Sequence, residues 1–148
     1  MSYSIVLGVT GSIAAYKAVE VVSSLIKQGN NITVIMTTNA QRFVHPVTFQ
    51  SISKNRVITD LFIATGNYDP NHVSLAEHAD IIVAAPATAN FIGKVVSGIA
   101  DDALTCTVMA ALSTVIIAPA MNDSMYLNPI VQENIKKLTK LGYVIIEP

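Results

Sequence analysis

The sequence predicts an α/β fold in which helices cover both faces of a mainly parallel sheet, and three observations carry that prediction. Five short segments are apolar without alternation, the mark of strands buried on both faces. Helical stretches with an apolar stripe separate them, so strand and helix alternate along the chain. Four of the five runs then stop in small, hydroxyl or amide residues, at the end of the sheet where ligands of such folds sit.

The elements follow in order. SIVLGVT, Ser4–Thr10, is the first predicted strand. The predicted helix after it, Ser12 to Gln28, sets Ile13, Ala14, Ala18, Val21, Val22 and Leu25 on one stripe and stops at Gly29. Asn31–Met36 is the second strand. Pro46 then opens a helical stretch in HPVTFQSISKN, with His45 at its start on the surface. LFIATGNYDPNH is polar and turn-rich, which predicts a mobile loop of functional use. Asp80–Pro86 is the third strand, stopped by its proline, and Thr88-Ala89-Asn90 opens the next helix. In DDALTCTVMAAL, Asp101 and Asp102 suit a helix N-terminus, and Cys106 reads as a buried thiol. Thr114–Pro119 is the fourth strand. Asn128 caps and Pro129 begins the helix that Gly142 ends, and Tyr143–Pro148 is the fifth strand. Together they predict a single doubly wound domain, Rossmann- or flavodoxin-like, with at least five strands.

Composition narrows the partners. The 148 residues suit one domain. Half the chain is hydrophobic (51%) but only 13% is charged, against roughly 25% in an average soluble protein. So little charge implies that copies of the chain cover part of its surface, hence a homo-oligomer. No apolar run approaches the ~18 residues of a spanning helix, and no basic stretch precedes an apolar one at the start. The expectation is no membrane partner. One cysteine, Cys106, rules out an intramolecular disulfide framework and fits the cytoplasm. A net charge of −1 gives no footprint for nucleic acid.

The strand ends hold the candidate sites. Thr10-Gly11-Ser12-Ile13 places a glycine turn and a hydroxyl before a helix, which suits a phosphate through free backbone N–H groups. It is not the dinucleotide fingerprint, since Gly8 and Gly11 are three apart and no acid closes the second strand. Thr37 and Thr38 there suit phosphate or ribityl contacts. The plainer reading is that Ser12 and the Thr37–Asn39 stretch merely cap helices. Thr88, Ala89 and Asn90 combine small side chains, which let a flat ring approach, with an amide for a heterocycle edge. A proline-stopped strand with Thr88 as cap explains them as well. Among the histidines, His72 at the close of the polar loop lies near the upper rim if the third strand follows, while His78 suits a solvated helix. No metal-ligand spacing and no Ser-His-Asp set is legible.

Taken in order, TGSIAAYK, HVSLAEHADIIVAAPATANFIGKVVSGIADD and APAMNDSMYLNP resemble the flavin-dependent cysteine decarboxylases, closest to the phosphopantothenoylcysteine decarboxylase branch. The resemblance runs from Ile5 to Pro148; PATAN and PAMN-x-x-M with the intervening histidine are its specific parts. It implies an FMN cofactor, with Gly11, Ser12, Ile13, Thr37, Thr38, Phe43, Thr88, Ala89 and Asn90 matching flavin-binding segments and Ala120 a flavin-proximal position. His72 matches the acid/base histidine, and Asn122 matches the asparagine that fixes the substrate carboxylate. Met121 would pack against flavin or substrate. Trimers, or multiples of trimers such as dodecamers, are implied as well.

The implied reaction converts 4′-phosphopantothenoylcysteine, a phosphorylated cysteine conjugate, to 4′-phosphopantetheine in coenzyme A biosynthesis. Loss of CO2 from a saturated carbon would leave a carbanion with nowhere to place its electrons. Oxidation of the thiol to a thioaldehyde supplies that sink, and an enethiol follows; the cofactor carries the hard step while protein groups orient and desolvate. Family members that finish the reduction carry a further segment with a cysteine in Ala-Cys-Gly-Asp, which Cys106 is in the wrong element to replace. Residues 1–148 would therefore be the FMN-binding decarboxylase domain without that C-terminal flap. Tyr126 stands where many members have Trp. Two other readings stay open: a lantibiotic-type peptidyl-cysteine decarboxylase, and a non-catalytic flavin-binding regulator.

Overall fold

The structure, a computed structural model, describes residues 1–63 and 65–148. Among them, β1 (Ser4–Val9), β2 (Asn31–Met36), β3 (Ile81–Ala87), β4 (Thr114–Pro119) and β5 (Val144–Ile145) form one parallel sheet in the order β2-β1-β3-β4-β5. The helices are α1 (Ala15–Lys27), α2 (Pro46–Ser53), α3 (Asn71–His78), α4 (Ala89–Val96), α5 (Ala103–Met109), α6 (Asp123–Tyr126) and α7 (Pro129–Lys140). This order is that of flavodoxin-like folds, and the winding reverses between β1 and β3.

Strand β1 shows why both faces are apolar. Leu7 and Val9 point to the layer of α1 and α2, with Ala18, Val22 and Phe49 packed beside them. Val6 points the other way, into a layer with Phe91, Ile92, Leu104 and Leu138 from α4, α5 and α7. Successive side chains of a strand face opposite ways, so a doubly covered strand loses its polar positions. Each buried Leu or Ile stabilises the fold by about 1.5–3 kcal/mol relative to exposure. Gly8 interrupts the run because Leu104 of α5 lies directly on it; a Cβ there would stand 2.3 Å from Leu104 Cδ1.

Several expectations shift. Helix α1 begins at Ala15, because Ser12 Oγ first accepts the Ala14 N–H at 3.1 Å and closes a turn ahead of it. Ile13 is consequently 75% exposed instead of joining the buried stripe, and Val21 is exposed too. Pro86 does not end β3, which continues to Ala87 with a register shift against β4 between Ala84 and Ala87. A residue without an N–H is tolerated at such an irregularity. β5 is two residues at the sheet edge, shorter than Tyr143–Pro148. His72 lies in α3 instead of closing the loop. Cys106 is only half-buried, its Sγ 3.4 Å from the Ala100 carbonyl. No helix among the described residues is long and apolar enough to cross a membrane.

Candidate functional site

A crevice of about 440 Å³ opens beyond the carboxyl ends of β1, β2 and β3. Its back wall is stitched by one buried hydroxyl: Thr10 Oγ1 donates to the Pro86 carbonyl at 2.6 Å and accepts the Thr88 N–H at 3.0 Å. Gly11 meets the loop after β2, where an added Cβ would stand 2.4 Å from Asn39 Cβ. A side chain at this position would push the two walls apart. Thr37 Oγ1 accepts the Ala40 N–H at 3.2 Å at the start of a 3-10 turn, Ala40–Arg42. On the β3 side, Thr88 Oγ1 accepts the Phe91 N–H at 3.2 Å and caps α4, so the N-terminus of that helix borders the crevice.

The lower wall is charged but compensated. Lys94 Nζ reaches Asp101 Oδ1 and Oδ2 at 3.1 and 3.0 Å. Asp102 caps α5 in a reciprocal box with Thr105, whose N–H it accepts at 2.8 Å. Burial, with the charges of Asp102 and Asp101, pushes the nearby Cys106 thiol above its ordinary value. The crevice therefore offers neutral hydroxyls and amides, backbone N–H groups and a helix N-terminus at one end, with paired charges at the other. That donor set fits a phosphorylated, ring-bearing ligand such as FMN.

The segment after β4 packs beside the crevice. The Ala120 N–H donates to the Ala87 carbonyl at 3.0 Å, and Met121 packs half-buried on the core. Asn122 caps α6; its Oδ1 accepts the Met125 N–H at 2.9 Å and the Ser124 hydroxyl at 3.1 Å. With the carbonyl oxygen engaged, its Nδ2 group is the end that can donate to a ligand.

His72 sits apart, 2% exposed, in the first turn of α3. Its Nε2 lies 3.0 Å from Tyr68 Oη, and its Nδ1 is buried without a hydrogen-bond partner among the described residues. The strap leading to it is pinned at Asp69, which is 4% exposed. Asp69 pairs with Arg56, and its Oδ1 accepts the Asn71 N–H at 3.0 Å. Burial alone would raise the Asp69 carboxyl, but the Arg56 and Asn71 hydrogen bonds and the charges of Arg56 and His72 hold it below its ordinary value.

Of the sequence-derived residues, the crevice brings together Gly11, Thr37, Thr38, Thr88, Ala89 and Asn90. Ser12, Ile13, Phe43, Ala120, Met121, Asn122 and His72 do not line it; Ile13 and Phe43 are exposed. Of the caps in the plainer reading, Thr88 caps α4, Thr37 only accepts the Ala40 N–H ahead of the turn whose N-cap is Asn39, and Ser12 does not cap α1, whose N-cap is Ala14. His45 caps α2 through Nδ1, and His78 bonds only its own helix, at Ser74. Sequence reading missed Phe91, Lys94, Asp101, Asp102, Thr105 and Met125 as lining. The stretch GKVVSGIADD carried a usable signal for two of them, since a glycine turn at Gly98 brings a helix-end lysine back onto the next acid.

The family model described as Flavoprotein matches residues 1–148. The chain is 50% identical over 145 residues to the coenzyme A biosynthesis bifunctional protein CoaBC of Bacillus subtilis, covering 98% of this chain and 36% of that one. It thus spans about a third of the length of such bifunctional relatives. It is 42% identical over 150 residues to the "Probable phosphopantothenoylcysteine decarboxylase" of Streptococcus mutans, covering all of this chain and 84% of that one. Among solved structures, that of the FMN-dependent cysteine decarboxylase SpaF superposes with a TM-score of 0.90 at 37% identity, over 99% of this chain and 84% of the other.

Proposed function

The chain belongs to the Flavoprotein family, and from that membership we propose that it is an FMN-dependent carboxy-lyase acting on 4′-phosphopantothenoylcysteine in coenzyme A biosynthesis. The observation that carries the reading is the crevice at the β1/β3 reversal, with its stitched wall and neutral donors. The relatives named for coenzyme A biosynthesis support the substrate, and the SpaF likeness supports the wider class of cysteine decarboxylases. Residues 1–148 form the FMN-binding decarboxylase domain in this reading.

The residues divide the work. The Gly11–Ser12 turn and the hydroxyls of Thr37 and Thr38 hold the cofactor phosphate and ribityl chain. Thr88, Ala89 and Asn90 would bring a helix N-terminus and an amide to its ring, and Ile13 and Phe43, exposed and outside the crevice lining, would offer apolar cover. FMN, when bound, supplies the two-electron oxidation of the substrate thiol. His72 takes the thiol proton, a role worth about 10²–10⁴-fold. Asn122 Nδ2 donates to the carboxylate and orients it. A neutral amide does so without the ground-state stabilisation that a full positive charge would add. CO2 then leaves with its bonding electrons passing into the C=S group, and the resulting enethiolate takes back the proton that His72 holds to give the enethiol.

His72 and Asn122 lie outside the crevice lining of one chain, and large apolar side chains such as Ile13, Leu127 and Ile130 are exposed. Both facts support a homo-oligomer in which neighbouring copies complete each site; the trimer, or multiple of trimers, and the cytoplasmic setting belong to the decarboxylase reading itself.

The test is direct. Purified protein is expected to be yellow, to release FMN on denaturation and to remove CO2 from phosphopantothenoylcysteine, read by mass. A peptide ending in cysteine, offered in parallel, separates the peptidyl reading from the leading one. Protein that stays colourless in excess FMN overturns the proposal.

A further inference from the structure

We infer that Tyr68 is a positioning residue for His72, fixing the direction of the imidazole through its hydroxyl. The inference rests on the decarboxylase reading for its effect on turnover and on geometry alone for the contact.

His72 is enclosed, and among the described residues its side chain has one hydrogen bond, between Nε2 and Tyr68 Oη at 3.0 Å. The rings meet edge to face, 5.4 Å between centroids at 85°. Nδ1 faces protein without a partner among the described residues, so nothing on that side selects a ring orientation or tautomer. Which nitrogen of a histidine carries the proton is set by the bond its other nitrogen makes. Among the described residues Tyr68 alone bonds the ring, and its hydroxyl, which can donate or accept, fixes the direction of the ring with either tautomer. Nε2 is thus the ring nitrogen that faces Tyr68, whose own residue is 54% exposed.

Tyr68 is itself held. Its ring stands edge-on to Phe62, 6.3 Å away at 78°, and the two backbones form an antiparallel bridge. The next residue is Asp69, anchored by Arg56, by its own N–H to the Leu61 carbonyl at 2.9 Å and by the Asn71 N–H. The strap therefore ends with the tyrosine hydroxyl aimed at the imidazole. From the opposite side, Thr107 Oγ1 of α5 reaches the His72 carbonyl at 3.4 Å, which steadies the backbone but leaves the ring free.

Tyr68→Phe keeps the ring and removes the bond. In the FMN-loaded full chain, kcat is expected to fall about tenfold or more, the range seen when the orienting partner of a functional histidine is lost. KM should stay within about twofold and flavin content should not change. The second readout does not need activity: the ¹⁵N shift of His72 Nε2, assigned by difference from His72→Asn, should move when the bond to Tyr68 Oη is lost. Wild-type kcat in Tyr68→Phe overturns the positioning role, and so do unchanged ring-nitrogen shifts. Full turnover by His72→Asn would instead sink the assignment of His72, and the ¹⁵N comparison alone would then decide the Tyr68 contact.

Discussion

The strand-end crevice and the strap that carries His72 are built by different means. The crevice walls are joined by backbone groups and short hydroxyls: Thr10 to Pro86 and Thr88, Thr37 to Ala40, Gly11 against Asn39. The strap is joined by long side chains over short sequence separations, with Arg56 on Asp69 13 residues apart and Tyr68 on His72 4 apart, against the 76 and 78 residues that Thr10 spans. A cofactor cradle made of backbone is rigid and tolerant of changes elsewhere. A histidine held by side chains, such as His72 in its proposed proton-handling role, is adjustable and can be lost through changes that leave the cradle intact.

Perturbing one region at a time tests that division, beginning with the largest effect. His72→Asn should lower turnover by at least about 10²-fold while bound flavin, read by absorbance, is unchanged. Full activity would remove the strap from the chemistry. Gly11→Val forces a side chain into Asn39, with the first added atom 2.4 Å from Asn39 Cβ. Flavin retention on gel filtration should fall by an order of magnitude or more, with stability down about 1–3 kcal/mol. Retained flavin would show that the cradle is less rigid than described.

Asp69→Asn should destabilise the strap by about 1–3 kcal/mol at pH 7, measured by denaturant titration, with flavin content kept. The sign of its pH dependence follows from the direction of its shift. The folded carboxyl is held below its ordinary 3.8, so its contribution is complete above that value and is lost as pH falls through the lower folded value. The stability gap between wild type and Asp69→Asn should thus be level near neutrality and close in acid. Smallest of all, Cys106→Ser should leave flavin content and turnover unchanged, since burial and two acids keep that thiol protonated at pH 7. Loss of either would add Cys106 to the crevice.

The same contrast explains what could be read from the chain alone. Continuous apolar runs announced the strands, and Asn128-Pro129 announced α7, because both are local patterns repeated at fixed spacing. Thr88 was legible as a cap for the same reason. Pro86 misled, since a register irregularity carries the strand past it. The exposure of Ile13 was illegible because one Ser12 hydrogen bond delays the helix by a turn. Arg56 with Asp69 is thirteen residues apart in irregular chain, where no period marks partners. The lining role of Lys94 likewise depends on how two helices and a glycine turn fold back together.

Thr10 carries a last consequence. Its hydroxyl spends both its hydrogen and a lone pair on joining β1 to β3, so the crevice takes its shape when the sheet closes. Little ordering is then left for the moment of ligand capture, and affinity is not diminished by freezing a loop. Folding and loading become thermodynamically linked: a ligand at a hundred times its Kd adds about 2.7 kcal/mol to stability. The melting temperature of this chain would then serve as a gauge of how much cofactor its surroundings supply.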